Sequence, residues 1–416
     1  MGALPAGDLS PGDVVDRAAA GREPWVMRQQ CIPVASLVGI AILLAGCPTV
    51  REPVRDGGVV DLAEASLADP AAAEEGSSGV PDPLMEDVRR VLAENLEHRQ
   101  LSAEVHGAWQ ILHGVLAYGT EFPIETAEGP QLAVEYLLGG GTVQGFDPMP
   151  GDRFPPAGET ADALAGTDGS SAEPRRGLRM HLQPGTKVGQ GHRDQWLAVL
   201  AQAGLGPDTR LRSRDQEYRF EDWVRQVEWD IPLNLELEFS WTLIGLLAYR
   251  PTDHRWTARD GNDYDIEILL QSELEQSLPE SACGGTHRLI GIAMALDRRR
   301  AEGAPIVGVW ADAERLLADS IGLARQNQNP DGSYGSSYHH RSGWTRDLGE
   351  SLGTTGHVLE FLSLAASDET LRSPWVRRSV RHLCDLLDQC REIDLECGAL
   401  YHALHGLQIY EARMAG

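Results

Sequence analysis

The chain has 416 residues, of which 36 are Lys or Arg and 62 are Asp or Glu, for a formal net charge of −26. So acidic a surface repels phosphate backbones and anionic headgroups, which excludes nucleic acid as a partner and electrostatic attraction as a route to a membrane. The 42% hydrophobic content is that of an ordinary folded protein; the length suits either two or three average domains or one large helical ring, and internal repetition decides for the ring.

Met27 opens a short basic start at Arg28, followed by an apolar run over 32–44 and the tetrapeptide Leu44-Ala45-Gly46-Cys47. The run is shorter than the ~20 residues a spanning helix needs, and the pattern resembles a bacterial lipoprotein signal. That resemblance implies removal of residues 1–46, lipidation of Cys47 and an anchored address on the periplasmic side of the cell membrane or outer membrane. Pro48 after the cysteine leans towards the outer membrane, and residues 1–26 become an upstream extension. Residues 47–82 are rich in Ala, Glu, Asp, Gly, Ser and Pro without a helical or strand period, which predicts a flexible acidic linker.

Six stretches in the remainder, 83–416, share one design: 103–118, 191–203, 237–249, 285–299, 353–366 and 398–413. Each is mostly apolar and carries a single polar line at helical spacing. In the first, the line is His106, Gln110 and His113; in the fifth, His357, Glu360 and Ser363; in the last, His402, His405 and Gln408. A helix apolar almost all round is buried by its neighbours, and six such helices keep their polar lines most economically around a shared pore.

A more amphipathic segment precedes each: 84–98, 131–138, 216–230, 265–278, 309–326 and 374–391. Starts of successive inner segments are 88, 46, 48, 68 and 45 residues apart, and about 46 is the length of a helical hairpin with its loops. The long first interval contains 148–176, a Pro- and Gly-rich stretch that reads as a disordered surface insertion, with short strands expected at 122–128 and 142–146. The predicted fold is therefore all-α, an (α/α)6 toroid of helical hairpins with a small β-containing insertion, after a disordered N-terminal tether. A plain bundle or an open solenoid would show the same hairpins without convergence of the lines.

Gln326-Asn327-Gln328-Asn329-Pro330-Asp331-Gly332-Ser333-Tyr334-Gly335 follows an outer segment and is similar to the Gln, Gly, aromatic repeat of squalene cyclases and protein prenyltransferases, with Tyr334 where tryptophan is usual. The resemblance covers roughly 280–412 and implies the toroid rather than a chemistry. The acidic clusters of those enzymes are absent, Asp263-Tyr264-Asp265 being only a partial likeness, so terpenoid cyclisation or prenyl transfer is the third functional reading. Cys283-Gly284-Gly285-Thr286-His287 and Cys397-Gly398-Ala399-Leu400-Tyr401-His402 also resemble motifs of a group of bacterial secreted proteins, some labelled ADP-ribosylation-factor GTPase-activating proteins. The paired Cys-x-x-Cys of a zinc finger is missing, so that label finds no support.

Both cysteine motifs start inner segments, which puts Cys283 and Cys397 at one rim. With His287 and His402 they are candidate ligands of zinc; in an exported protein disulfides among Cys283, Cys384, Cys390 and Cys397 are preferred to the metal, with three pairings open and Cys283–Cys397 the one a shared rim allows, and free thiols are the third alternative. His106, His113, His357, Glu360 and His405 are the candidates for acid, base or electrostatic work in the pore, against the alternative of hydrogen-bonded core histidines. His192, Tyr334, Trp344 and Tyr401 are candidate ligand-binding residues, Tyr334 and Trp344 lying in a glycine-rich loop with Tyr338, His339 and His340 that is positioned to cap the pore. Gly349-Glu350-Ser351-Leu352-Gly353 matches the Gly-x-Ser-x-Gly string of hydrolases without the strand that context requires. The leading functional reading is binding of a small or polymeric envelope ligand, or a structural role; the competing one is a glycan-active lyase, hydrolase or epimerase.

Overall fold

A computed structural model describes residues 82–154, 175–234 and 238–415. The signal region, the lipidation site at Cys47 and almost all of the linker lie outside the described residues, as does the middle of the 148–176 stretch. Among the described residues thirteen α-helices carry the fold, and nine short strands form four small sheets.

In chain order, α1 (Pro83–His98) begins at Asp82, whose carboxylate accepts from the Leu84 amide at 3.1 Å and pairs with Arg377 at 2.7 Å. The two-residue β1 (Leu101–Ser102) pairs in parallel with β2 (Pro123–Thr126), and α2 (Ala108–Tyr118) lies between them. Gln110 closes the first turn of α2 by accepting from the Gly107 amide at 2.7 Å. It is spent on a helix cap and not on the polar line. The strand β3 (Gly129–Leu132) then forms a hairpin with β2 and runs straight into α3 (Ala133–Leu138).

The stretch expected to be a disordered insertion is different at both ends: β4 (Pro148–Phe154) and β5 (Arg175–Met180) pair antiparallel, while 142–146 forms no strand. Arg175 and Arg179 of β5 hold this small sheet against a later helix through carboxylates at 222 and 230, both at 2.6 Å. After α4 (Gln195–Gln202), the hairpin β6 (Arg210–Ser213) and β7 (Gln216–Arg219) leads into α5 (Phe220–Asp230), the helix carrying Asp222 and Asp230. After α6 (Ser240–Tyr249), the hairpin β8 (Arg255–Thr257) and β9 (Asp263–Asp265) leads into α7 (Ile266–Leu274). Three outer helices are thus entered from a hairpin, and the starts expected at 131, 216 and 265 are strand residues. The remaining α-helices are α8 (Thr286–Ala301), α9 (Val309–Asn327), α10 (Leu348–Ala365), α11 (Asp368–Arg372), α12 (Pro374–Gln389) and α13 (Cys397–Met414), with a long loop at 328–347.

The six apolar segments with polar lines are α2, α4, α6, α8, α10 and α13. Each packs on the next, and α13 packs on α2. The amphipathic helices α1, α3, α5, α7, α9 and α12 lie against them. The tightest approach is between α10 and α13, where a Cβ on Gly356 would stand 2.7 Å from that of Ala403. The missing side chain lets Glu360, one turn further along α10, reach histidines of α13. No described helix is long and apolar enough to cross a membrane.

Asp194 couples α4 to α6: it precedes α4 and accepts from Thr242 Oγ1 at 2.7 Å. Burial pushes its carboxyl up to about 6, against the pull of Thr242 and Arg193. A carboxyl raised in the folded state stabilises the fold when protonated, and the contribution is lost as pH rises from about 4 through 6. Asp194→Asn keeps an oxygen acceptor and removes the charge. Partial exposure trims the gain, so the variant should be more stable than wild type by about 1–2 kcal/mol at pH 7.5 and equal to it at pH 4, as read from denaturant midpoints at both pH values. A gap of the same size at both would show that the carboxyl is not raised.

Candidate functional site

The polar lines meet. A cavity of about 370 Å³ is walled by His113 of α2, His192 just before α4, His287 of α8, His357 of α10 and His402 of α13, together with Trp109, Cys283 and Tyr338. Ring centroids are 4.1 Å apart for His357 and His402, 5.1 Å for His287 and His402, 5.4 Å for His287 and His357, and 5.3 Å for His113 and His402. His192 adds a contact to His287 at 5.7 Å, and Trp241 of α6 packs at a tilt against His287 at 5.0 Å.

Four of the five histidines are held in the same way. Nδ1 of His113 meets the Trp109 carbonyl at 2.5 Å, Nδ1 of His357 the Gly353 carbonyl at 2.7 Å, and Nδ1 of His402 a Glu360 oxygen at 2.7 Å; Nδ1 of His192 meets Glu238. A carbonyl only accepts, so Nδ1 carries the proton in His113 and His357, and a carboxylate imposes the same tautomer on His402. In His113 and His402 the Nε2 lone pair is left for the cavity. His287 differs: it is 5% exposed and neither ring nitrogen has a hydrogen-bond partner. The Cys283 sulfur is close enough to interact with that ring but makes no well-formed hydrogen bond to it.

Cys283 owes its position to three consecutive left-handed residues. It has φ 51°, Gly284 φ 63° and Gly285 φ 74°, a conformation that only glycine adopts without strain. A Cβ on Gly284 would also collide with the Tyr338 ring at 2.6 Å. The turn delivers the sulfur to the N-terminus of α8 beside His287 and His357; one ligand-type atom from each of the three lies within 4.8 Å of the others. Burial would push the thiol up, but His357 and His287 outweigh it and hold it well below its ordinary value. For His357 the balance is reciprocal, burial pulling down and the Cys283 sulfur lifting the imidazole to about 9. Burial drives His113 well below the ordinary range, assisted by His402, and brings His402 itself down to about 4 against the pull of Glu360.

Several expected site residues stand elsewhere. Cys397 is not beside Cys283: it borders a neighbouring pocket of about 480 Å³ with His106 and Tyr401, and burial together with Glu396 and Asp394 pushes its thiol up to about 12. Cys283, Cys384, Cys390 and Cys397 are all free thiols, so the Cys283–Cys397 disulfide is not formed. In the expected metal set His357 takes the place of Cys397, and His402 flanks the cluster. His106 Nδ1 accepts from the Ser102 amide at 2.9 Å outside the histidine cavity, and His405 is tied to Glu360 at 2.6 Å behind it. Tyr334 is core, its hydroxyl donating to the Ala324 carbonyl at 3.0 Å; Trp344 is 67% exposed and borders neither pocket. Gly349 to Gly353 lies in the first turns of α10, which gives Ser351 no nucleophile-elbow geometry.

Residues that a search for polar lines passes over complete the site. Lys187 pairs with Glu396 at 3.2 Å, its ammonium 5.8 Å from the Trp109 ring, and these three residues border both pockets. Trp109 sits one helical turn before His113, a spacing that signals it; Lys187, Glu238 and Glu396 lie in loops, where no periodicity marks them.

No family model matches the chain, and neither curated proteins nor solved structures give a match.

Among the four described cysteines, Cys283 alone has a depressed thiol; the other three are raised by burial. Brief iodoacetamide treatment of metal-stripped, reduced protein at pH 7 should label Cys283 roughly tenfold faster than the other three. Peptide mass spectrometry reads the order, and equal labelling of Cys283 and Cys397 would contradict the paired sulfur and imidazole.

Proposed function

We propose that the chain is an (α/α)6 toroid, similar in plan to the squalene cyclase and prenyltransferase rings, anchored in the cell envelope through lipid on Cys47, and that its central cavity binds a small polar ligand. The observation that carries this reading is the convergence of histidines from five of the six inner segments on one cavity, in helices whose neighbour order returns from α13 to α2. A polar-lined cavity of this size, with Trp109 and Tyr338 in its wall, suits a saccharide unit: its hydroxyls would meet imidazoles and its apolar face an aromatic ring. A terpenoid would offer no hydrogen-bond partner to the five imidazoles and the carboxylates of Glu350 and Glu396 in the wall.

A second reading, a glycan-active enzyme, is favoured by one specific feature: Cys283 and His357 polarise each other, and His402 is oriented beside them by a buried carboxylate. Such groups are placed for acid, base or metal-assisted work.

Ligand binding is tested by calorimetric titration of the full chain in detergent with soluble envelope glycan fragments and free sugars. At least one should bind, and Ser336→Trp, at an exposed position on the cavity rim, should weaken it by about tenfold or more while leaving the thermal transition unchanged. If no sugar binds, or if the plug is without effect, the cavity is not the binding site.

The anchor is a separate matter, resting on Leu44-Ala45-Gly46-Cys47. Metabolic labelling with a radioactive fatty acid in a bacterial host should mark the wild-type chain, and Cys47→Ala should abolish the label and accumulate precursor; undiminished label in the variant would remove the lipoprotein reading.

A further inference from the structure

The least satisfied polar side chain near the cavity is His287. An imidazole with both nitrogens buried and neither hydrogen-bonded is rare in folded proteins, where such groups find a partner in protein, water or an ion. The ring is wedged between Trp241, His192, His357 and His402. These neighbours pack against it without giving it an oxygen acceptor. What does approach it is the Cys283 sulfur and a nitrogen of His357, all within 4.8 Å of one another.

We propose that Cys283, His287 and His357 bind one divalent cation of the zinc type, with the fourth coordination position open to the cavity. The inference rests on the reading of that cavity as the functional site only for what occupies the open position. A thiolate with two imidazoles is a borderline-soft donor set that suits zinc and disfavours magnesium or calcium, which take oxygen. Tetrahedral zinc has bonds of ~2.0–2.3 Å, so its ligand atoms stand roughly 3.5 Å apart, and binding asks for about an ångström of side-chain movement. The surroundings match what zinc sites require beyond their ligands. His357 Nδ1 donates to the Gly353 carbonyl at 2.7 Å, which directs Nε2 to the cluster. His402 stands beside the open position at 4.1 Å from the His357 ring, its own Nδ1 held by Glu360. Three protein ligands with a vacant fourth position define a catalytic rather than a structural zinc site, in which the cation polarises a water or a ligand oxygen.

The test uses the full chain without a histidine tag, stripped by chelator under reducing conditions, reloaded with Zn²⁺, desalted and analysed for metal content. We expect one zinc per chain. Competition with a chromophoric chelator should show affinity falling at least about 100-fold in Cys283→Ser and His287→Ala, while Cys397→Ser is unaffected. Bound Zn²⁺ should also protect Cys283 from iodoacetamide. Cobalt loading supplies a measurement on unmutated protein, so the proposal does not depend on the variants folding: Co²⁺ should give a thiolate-to-cobalt charge-transfer band in the near ultraviolet. Metal content near zero, a cobalt spectrum without that band, or binding unchanged by Cys283→Ser would each overturn the metal site. A chain that binds sugar without metal defeats this inference alone; one that binds zinc but no sugar defeats the ligand reading alone.

Discussion

Glu360 is 2% exposed and stays ionised because two imidazoles of the next helix face it, His402 at 2.7 Å and His405 at 2.6 Å. Burial alone would raise its carboxyl; the two histidines reverse the sign and hold it well below the usual range. Removing one partner from so buried a charge is strongly destabilising, because the other is left uncompensated in a medium of low dielectric. The pair can form only because Gly356 lets α10 and α13 approach closely. From that contact follow the tautomer of His402, the direction of its free nitrogen and the polar floor of the cavity.

The other imidazoles obey the same electrostatic limit. Protons on five rings packed within a few ångströms would repel one another, and burial already disfavours each charge. His113 and His402 are accordingly driven down, and His357 is lifted against burial chiefly by the Cys283 sulfur, with Glu360 and the Gly353 carbonyl adding to it. The Cys283 sulfur and the His357 ring therefore stabilise opposite charges on each other, while His113 and His402 present uncharged rings at neutral pH. Thiolate sulfur and imidazole nitrogen are electron-pair donors, which suits a cation better than an anion.

The helical plan was legible because its signal is periodic. Six apolar segments with one polar line each could be found by spacing; of the histidines picked from them, His113, His192, His287, His357 and His402 line one cavity, and His106 and His405 do not. The cysteines could not be told apart, because Cys283 and Cys397 look alike in sequence: each precedes a glycine at the start of an inner helix. What separates them is backbone conformation. Gly284 and Gly285 both take positive φ and turn Cys283 into the cavity, whereas Cys397 is the first residue of α13 after the Glu396 cap and borders the neighbouring pocket. A single glycine after Cys397 hinted at the difference. The hairpins ahead of α3, α5 and α7 were missed for another reason: strands of three or four residues show at most two alternations, too few to stand out from the helix that follows. Tyr334 was misplaced because an aromatic in a glycine-rich loop can face either way, and here it is Tyr338, four residues on, that faces the histidines.

The approach to the cavity adds a constraint that the floor does not. Lys187 is 64% exposed at its side chain and stands in the wall shared by the two pockets, paired with Glu396 and close to the Trp109 ring. An exposed pair of this kind is worth little in stability, so its energetic cost of opening is small. Its position matters more than its strength, because the Trp109 carbonyl also accepts the hydrogen bond that fixes His113. A ligand that displaced Lys187 from Glu396 and packed against Trp109 would lie against the same residue that sets the His113 tautomer. Trp109 thus serves both places at once, its ring lying beside Lys187 at the mouth and its backbone carbonyl holding His113 at the floor.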